Sequence, residues 1–189
     1  MKVLFIFFAA ACILQRILET KLHRRIKGRK TAGWTLGLMS LAHALCFAGA
    51  PMEGLALGRA VLGFWSAAGF LLFLAAFLTR RWVIQTLGGY WSVNIEIREN
   101  HPLITTGPFS YCRHPNYFSI LMEIFGYCMI FQAWGVLALT VLIYLPAIYF
   151  RVRVEEREMI RHFGGSYERY IEQVPTLLPI AWTGRGRKT

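Results

Sequence analysis

A chain of 189 residues with 56% apolar and 15% aromatic content is long enough for one compact domain or for a small multispanning membrane protein. Its formal charge of +11 would suit nucleic acid, but the basic residues lie between apolar runs and form no continuous stripe, so membrane topology explains them and no nucleic-acid partner is expected. The four cysteines show no CxxC or Cys/His ligand spacing, which indicates neither a disulfide framework nor a zinc site.

In chain order, the first apolar run covers 3–18. Although 1–19 could pass for a signal peptide, Ala9-Ala10-Ala11 falls inside the run, with Cys12, Ile13 and Leu14 following, so it reads as the first membrane helix. A loop bearing Lys21, Arg24, Arg25, Lys27, Arg29 and Lys30 comes next. The second run, 34–50, carries His43, the only ionisable group near mid-membrane in this half; a lone histidine there is more often a bundle hydrogen-bonding residue than a catalyst. The third, 61–79, approaches the ~20 apolar residues that a spanning helix needs. The region 117–150 is too long for one span and is divided at Gln132-Ala133-Trp134-Gly135, which predicts a tight helical hairpin with arms shorter than a perpendicular span and a kink at Pro146.

These runs predict an all-α integral membrane protein of about five transmembrane helices. With five spans, the basic loop after helix 1 and the segments 80–116 and 151–189 share one face, while the other keeps only Lys2 and Arg59. The positive-inside rule makes the basic face cytoplasmic, with the N-terminus outside and the C-terminus and active site inside. The expected organisation is 1–79 as three N-terminal helices and 80–189 as a catalytic region, together one structural unit. The cofactor pocket is expected at the cytoplasmic face, built by the helix 3–4 connection, the helix 4–5 hairpin and the C-terminal segment.

Chemistry-bearing residues concentrate in the second half. The stretch 91–117, WSVNIEIRENHPLITTGPFSYCRHPNY, is dense in His, Arg, Asn and Tyr and runs directly into helix 4. Pro115 suits the first turn of that helix, and Asn116, Ser119 and Glu123 then share one face. A carboxylate inside a membrane helix is costly without a partner or a watery cavity, so Glu123 is a site candidate; a buried hydrogen bond to a neighbouring helix is the competing explanation. After helix 5, Arg151 and Glu155 stand at i and i+4, placed to present a cation and an anion to one cavity or to pair on an interfacial helix.

His101-Pro102-Leu103-Ile104, then Gly107-Pro108-Phe109, then Arg113-His114-Pro115-Asn116-Tyr117, resembles the cofactor-binding signature of the isoprenylcysteine carboxyl methyltransferases. The tail, with Glu155-Glu156, Phe163-Gly164, Tyr167, Tyr170 and Val174-Pro175, is similar to that family's C-terminal element in order and spacing. The resemblance covers 80–180 and is weaker in the first three helices. It implies an S-adenosylmethionine site lined by Asn94, His101, Leu103, Ile104, Phe109, His114, Pro115, Tyr117 and Glu155, with Arg151 in contact with the substrate. Asn94 stands where eukaryotic members carry glutamine, and position 109 is Phe instead of Tyr. A carboxylate such as Glu155 suits the cofactor's ammonium, and Arg151 suits an anionic acceptor held by two parallel bonds.

The expected activity is methyl transfer from S-adenosylmethionine to the carboxylate or hydroxyl of a lipid-like substrate, in contact with membrane lipids. A carboxylate acceptor is already ionised at neutral pH, whereas a hydroxyl needs a base, for which His114, Glu156 and Glu123 are candidates. Phenolic or alkylpyrone lipids and phospholipid amines remain alternative acceptors. Of the non-enzyme readings, an inactive scaffold is countered by the retention of His114, Tyr117, Arg151 and Glu155 together, and a transporter lacks paired broken helices or an internal repeat.

Overall fold

The computed structural model describes residues 2–22, 29–31, 33–92, 95–97 and 102–178, with the backbone alone for 16–22, 29–31, 33 and 95–97. Six α-helices form among these residues: α1 (Lys2–Leu22), α2 (Gly33–Ala56), α3 (Phe64–Leu87), α4 (Pro115–Phe131), α5 (Trp134–Phe163) and α6 (Gly165–Gln173). Stretches from α2, α3 and α5 are long and apolar enough to cross a membrane, namely Trp34–Ala56, Phe64–Tyr90 and Trp134–Phe163; the apolar helix Lys2–Gln15 is shorter, as is the 17-residue α4.

The helices outrun the apolar runs that predict them. α2 continues through Pro51, α3 through Arg80 and Arg81, and α5 reaches 30 residues with Pro146 inside it. Arg and Glu are good helix formers, so a helix has no reason to stop where its apolar content does. The hairpin therefore has one short arm and one long one, not two short ones. Its turn is two residues: Gln132 takes a left-handed conformation (φ 52°), and the Ala133 amide donates to Cys128 O at 2.9 Å.

The all-α class holds among the described residues, and its polar connections add one short pairing. Two three-residue strands, β1 (Arg29–Thr31) and β2 (Ile95–Ile97), pair antiparallel, with Lys30 opposite Glu96. Polar connections with no helix to satisfy their backbone groups satisfy one another. The pairing joins the loop after α1 to the connection after α3, so both lie at one end of the bundle, in the relation that the charge pattern predicts.

α4 is the central helix. Ile124, Tyr127, Cys128 and Phe131 are wholly buried, and the Tyr127 ring stacks on Phe47 of α2 at 4.4 Å and also meets Phe8 and Phe73 of α1 and α3. Large apolar side chains face outward instead on the surrounding helices, with Phe7, Leu71 and Leu142 all more than half exposed. A solvated protein would hide such residues, whereas a hydrocarbon-facing surface has no reason to.

Against α3, α4 packs backbone to backbone. A Cβ on Gly126 would lie 2.6 Å from Phe73 N, and one on Gly69 would lie 2.6 Å from Gly126 O, so only glycine fits on either side of the crossing. Against α5, α2 runs antiparallel and is held by three polar rungs. Arg151 Nη1 donates to Thr35 Oγ1 at 3.1 Å, Tyr144 Oη lies 3.1 Å from His43 Nδ1, and the Glu53 carboxylate accepts from the Gly135 and Val136 amides at 3.0 and 2.7 Å. The last rung places an anion at the N-terminus of α5, where the helix dipole favours it.

Candidate functional site

A cavity of about 590 Å³ lies between α2, α3, α4 and α5, a size suited to a drug-sized or cofactor-sized ligand. One part of its wall is polar, with Arg113, His114, Asn116, Tyr117, Arg151 and Glu155; another is mostly apolar, with Met39, Ala44, Phe47 and Ile120. The two sequence motifs meet in the polar part because α4 begins there and α5 passes it at Arg151 and Glu155.

Tyr117 is the centre of that part. Its hydroxyl donates to Glu155 Oε2 at 2.6 Å and accepts from Arg151 Nε at 2.8 Å, so one phenol joins a carboxylate to a guanidinium. Arg151 is nearly fully buried and sits with its guanidinium carbon 5.9 Å from the Tyr117 ring centroid. A planar guanidinium held at Nε by Tyr117 and at Nη1 by Thr35 has its orientation set before any ligand arrives. His114 stacks on Tyr117 at 5.6 Å, with Nδ1 3.8 Å from Glu155 Oε2 and Nε2 3.3 Å from Glu156 Oε1.

Behind this layer, Arg113 clasps the C-terminal segment. Its guanidinium donates to Glu156 Oε1 at 2.9 Å, to the carbonyls of Ile171 and Val174, and to Thr176 Oγ1 at 2.8 Å. The backbone adds to the clasp, with the Arg113 and His114 amides donating to Pro175 and Thr176 carbonyls at 2.8 and 3.0 Å. Gly164, at φ +54°, turns the chain from α5 into α6, and Tyr170 of α6 donates to Phe109 O at 2.6 Å. Burial pushes the nearby Cys112 thiol up to about 11, outweighing the His114 backbone hydrogen bond that lowers it.

Of the residues expected at the site, Phe109, His114, Pro115, Tyr117, Arg151 and Glu155 all line the cavity. Glu156 stands directly behind His114 and Arg113. Asn94 and His101 lie outside the described residues. Leu103 packs against the Tyr167, Tyr170 and Val174 cluster instead of the cavity, and Ile104 is half-buried and absent from the lining. Glu123, expected near the substrate, also does not line the cavity. It is buried with Oε2 3.8 Å from Arg80 Nη2, so its partner is a cation from α3, and Arg80 is the member of the pair that reaches the wall.

Among the lining residues that sequence reading left out, the structure brings in Arg80, Arg113, Asn116, His43 and Tyr144. Arg113 and Asn116 had a signal, being inside the same short motif as His114 and Tyr117. Asn116 Oδ1 is buried without a hydrogen-bond partner, an acceptor that a ligand N–H or O–H would satisfy. The other three depend on which helix faces which.

The profile of the isoprenylcysteine carboxyl methyltransferase family matches residues 68–161, which contain α4, nearly all of α5 and most of the cavity wall. The protein-S-isoprenylcysteine O-methyltransferase of Rattus norvegicus is 35% identical over 122 residues, covering 61% of this chain and 41% of the rat protein. A probable protein-S-isoprenylcysteine O-methyltransferase of Oryza sativa subsp. indica is 27% identical over 183 residues, 92% of this chain and 94% of the rice protein. Among solved structures, a eukaryotic intramembrane Ras methyltransferase, isoprenylcysteine carboxyl methyltransferase, shares the fold with a TM-score of 0.59 at 23% identity, over 73% of this chain and 52% of that one. The chain thus spans about half the length of the solved enzyme and less of the rat protein, while matching the rice relative almost end to end. By its profile match and its relatives, the chain belongs to the isoprenylcysteine carboxyl methyltransferase family.

Proposed function

We propose that this chain is an intramembrane methyltransferase that methylates an oxygen of a lipid-like acceptor, with S-adenosylmethionine as donor, from a cavity at the cytoplasmic end of the bundle. The observation that carries this reading is the Glu155–Tyr117–Arg151 network, which sets an anion and a cation on either side of one phenol in the cavity wall. When bound, S-adenosylmethionine supplies a sulfonium methyl that passes to the acceptor oxygen as the carbon–sulfur bond breaks and an oxygen–carbon bond forms. The residues present fit that group: Glu155 suits an ammonium, the Tyr117 and Phe109 rings suit a cationic or flat aromatic group, and Asn116 Oδ1 is an acceptor in want of a donor.

The residues themselves have three tasks. Arg151 binds and orients an anionic acceptor oxygen, and its fixed guanidinium supplies the alignment that an in-line transfer requires. The Arg113 clasp holds the C-terminal segment over the motif, and the apolar wall keeps competing water from the reacting atoms. A carboxylate acceptor needs no proton removed. For a hydroxyl acceptor, His114 favours a second reading: it lines the cavity and its ring nitrogens lie 3.8 and 3.3 Å from two carboxylates, which stabilise the imidazolium formed if it takes the proton.

Orientation follows the basic loops, with the C-terminus and cavity mouth cytoplasmic, so the soluble donor enters from the cytosol and the lipid tail enters between helices. The reading is tested by calorimetry on detergent-solubilised protein. Glu155→Gln should weaken S-adenosylmethionine binding roughly ten- to hundredfold, the loss of one charge-assisted bond. An unchanged dissociation constant in a folded variant removes Glu155 from the donor site.

A further inference from the structure

The segment 151–161 of α5, RVRVEEREMIR, reads as a near-balanced mixture of charges, and the fold sorts it. Arg151 is buried, Glu155, Glu156 and Glu158 are half-buried, and the exposed side chains of the segment are Arg153, Arg157 and Arg161 alone. Their spacing of four residues sets them along one helix face, opposite the face that brings Arg151 and Glu155 to the cavity. Arg153 lies over the Tyr149 ring at 5.3 Å, and Arg161 Nη1 donates to Glu158 Oε1 at 2.6 Å. Arg157 makes no ion pair among the described residues.

Toward the bilayer the same face is apolar, with Leu139, Leu142, Tyr149 and Phe150 all exposed. Aromatic contacts fix the level at which it changes. Trp34 of α2 meets Phe150 at 5.9 Å, and Trp134 at the far end of α5 meets Trp65 at 5.4 Å. All three tryptophans are exposed, and tryptophans so placed mark the two surfaces of a bilayer. The helix rises about 24 Å from Trp134 to Phe150, a little under the hydrocarbon thickness, so Arg153 stands at the headgroups and the next two arginines follow at steps of about 6 Å.

We propose that Arg153 and Arg157, with Arg161 as the outermost member, hold the headgroup of an anionic phospholipid of the cytoplasmic leaflet, on the orientation given above, and that its acyl chains lie against Leu142, Tyr149 and Phe150. Such a lipid meets both halves of the face, since its phosphate accepts from the guanidinium forks while its chains cover the apolar half. A soluble anion would use the arginines alone, and a zwitterionic lipid brings no net charge for them to attract. The contact does not depend on the reaction proposed above. Because Arg151 and Glu155 stand on the same helix, a lipid held here also sets the height of the cavity's polar wall relative to the membrane surface.

The full chain in phosphatidylcholine vesicles tests it, by tryptophan quenching with brominated phosphatidylglycerol against brominated phosphatidylcholine; Trp34, beside Phe150, is a reporter on this face. Each arginine at an anionic surface contributes about a fivefold factor, so wild type should favour the anionic lipid about twentyfold. Arg153→Gln and Arg157→Gln should each lower that preference about fivefold, and the double variant should lose nearly all of it. Arg161→Gln should do less, because Glu158 already shares that charge. Arg59→Gln, which removes the same charge at the opposite end of the bundle, should leave the ratio unchanged. Equal quenching by the two lipids, a double variant that keeps the wild-type ratio, or an equal fall in Arg59→Gln overturns the proposal. Glycerol phosphate, the headgroup chemistry without chains, should not displace the quencher; displacement would reveal a soluble-anion site and overturn the lipid assignment. Thermal midpoints check folding, and should one single variant fail to fold, the other decides alone. Methyl transfer is no part of the readout, so either result leaves the proposed reaction to its own test.

Discussion

The α3–α4 and α2–α5 pairs are both antiparallel, yet they are joined by opposite means. α3 and α4 touch through Gly69 and Gly126 with no room for a methyl group, and they bury the Arg80–Glu123 pair at one end of the crossing. α2 and α5 are kept in register by the Thr35–Arg151, His43–Tyr144 and Glu53–α5 rungs, and residues of both helices line the cavity. Close approach yields a wall, and side-chain rungs leave a space. In a surrounding as apolar as the helices themselves, burial of hydrocarbon does not drive helix association, so packing of small residues and hydrogen bonds are the two means available. This protein uses one for the back of its site and the other for the front.

The largest expected effect comes from breaking the close-packed pair. Gly126→Leu must displace the α3 backbone at Phe73, and the loss should exceed about 3 kcal/mol, read as failure to purify as a monodisperse species or as a steep fall in thermal midpoint. Gly37 of α2, whose Cβ would meet nothing within 4 Å, is the control: Gly37→Ala should be neutral or slightly stabilising.

Next is the clasp that closes the open side. Arg113→Ala leaves the Glu156 carboxylate with His114 Nε2 but without its guanidinium and releases the segment 171–176, a loss of about 3 kcal/mol for a broken buried pair, part of it local. Hydrogen exchange should rise in 165–178 while α3 and α4 keep their protection; uniform exchange throughout would show that the two regions are not separate units.

Arg151→Lys sharpens the comparison at the front of the site. A lysine cannot donate to Tyr117 and Thr35 in the guanidinium's fixed geometry, so turnover should fall by about tenfold or more while donor affinity changes little. Full turnover in the lysine variant would reduce Arg151 to an anchor of α5. The smallest effect concerns Cys112. With its thiol pushed up to about 11, the folded protein should resist maleimide at pH 7–8 at this position. The sign for stability follows: the thiol ionises near 9 in the unfolded chain and near 11 in the folded one, so the stability it contributes is full below pH 9 and is lost as pH rises toward 11.

Much of the candidate site's lining was legible because its motifs are local. Pro115 starts a helix wherever it is placed at the first turn, so His114 and Tyr117 are bound to stand at its mouth, and a helix continuing through Arg151 and Glu155 puts both on one face. The helical class and the clustering of basic loops at one end follow from apolar runs and charge. Which residue answers which across the bundle was decided only by the tertiary structure. Glu123 reads as a site carboxylate until α3 sets Arg80 against it, and His43 reads as an isolated bundle histidine until α5 sets Tyr144 beside it and the cavity opens between them. Thr35 carries no signal at all, and its bond to Arg151 exists because the offset of α2 against α5 puts them level. Local pattern determines what a helix presents; the register and rotation of its neighbours, set by glycine crossings and buried rungs far along the chain, determine what that face meets.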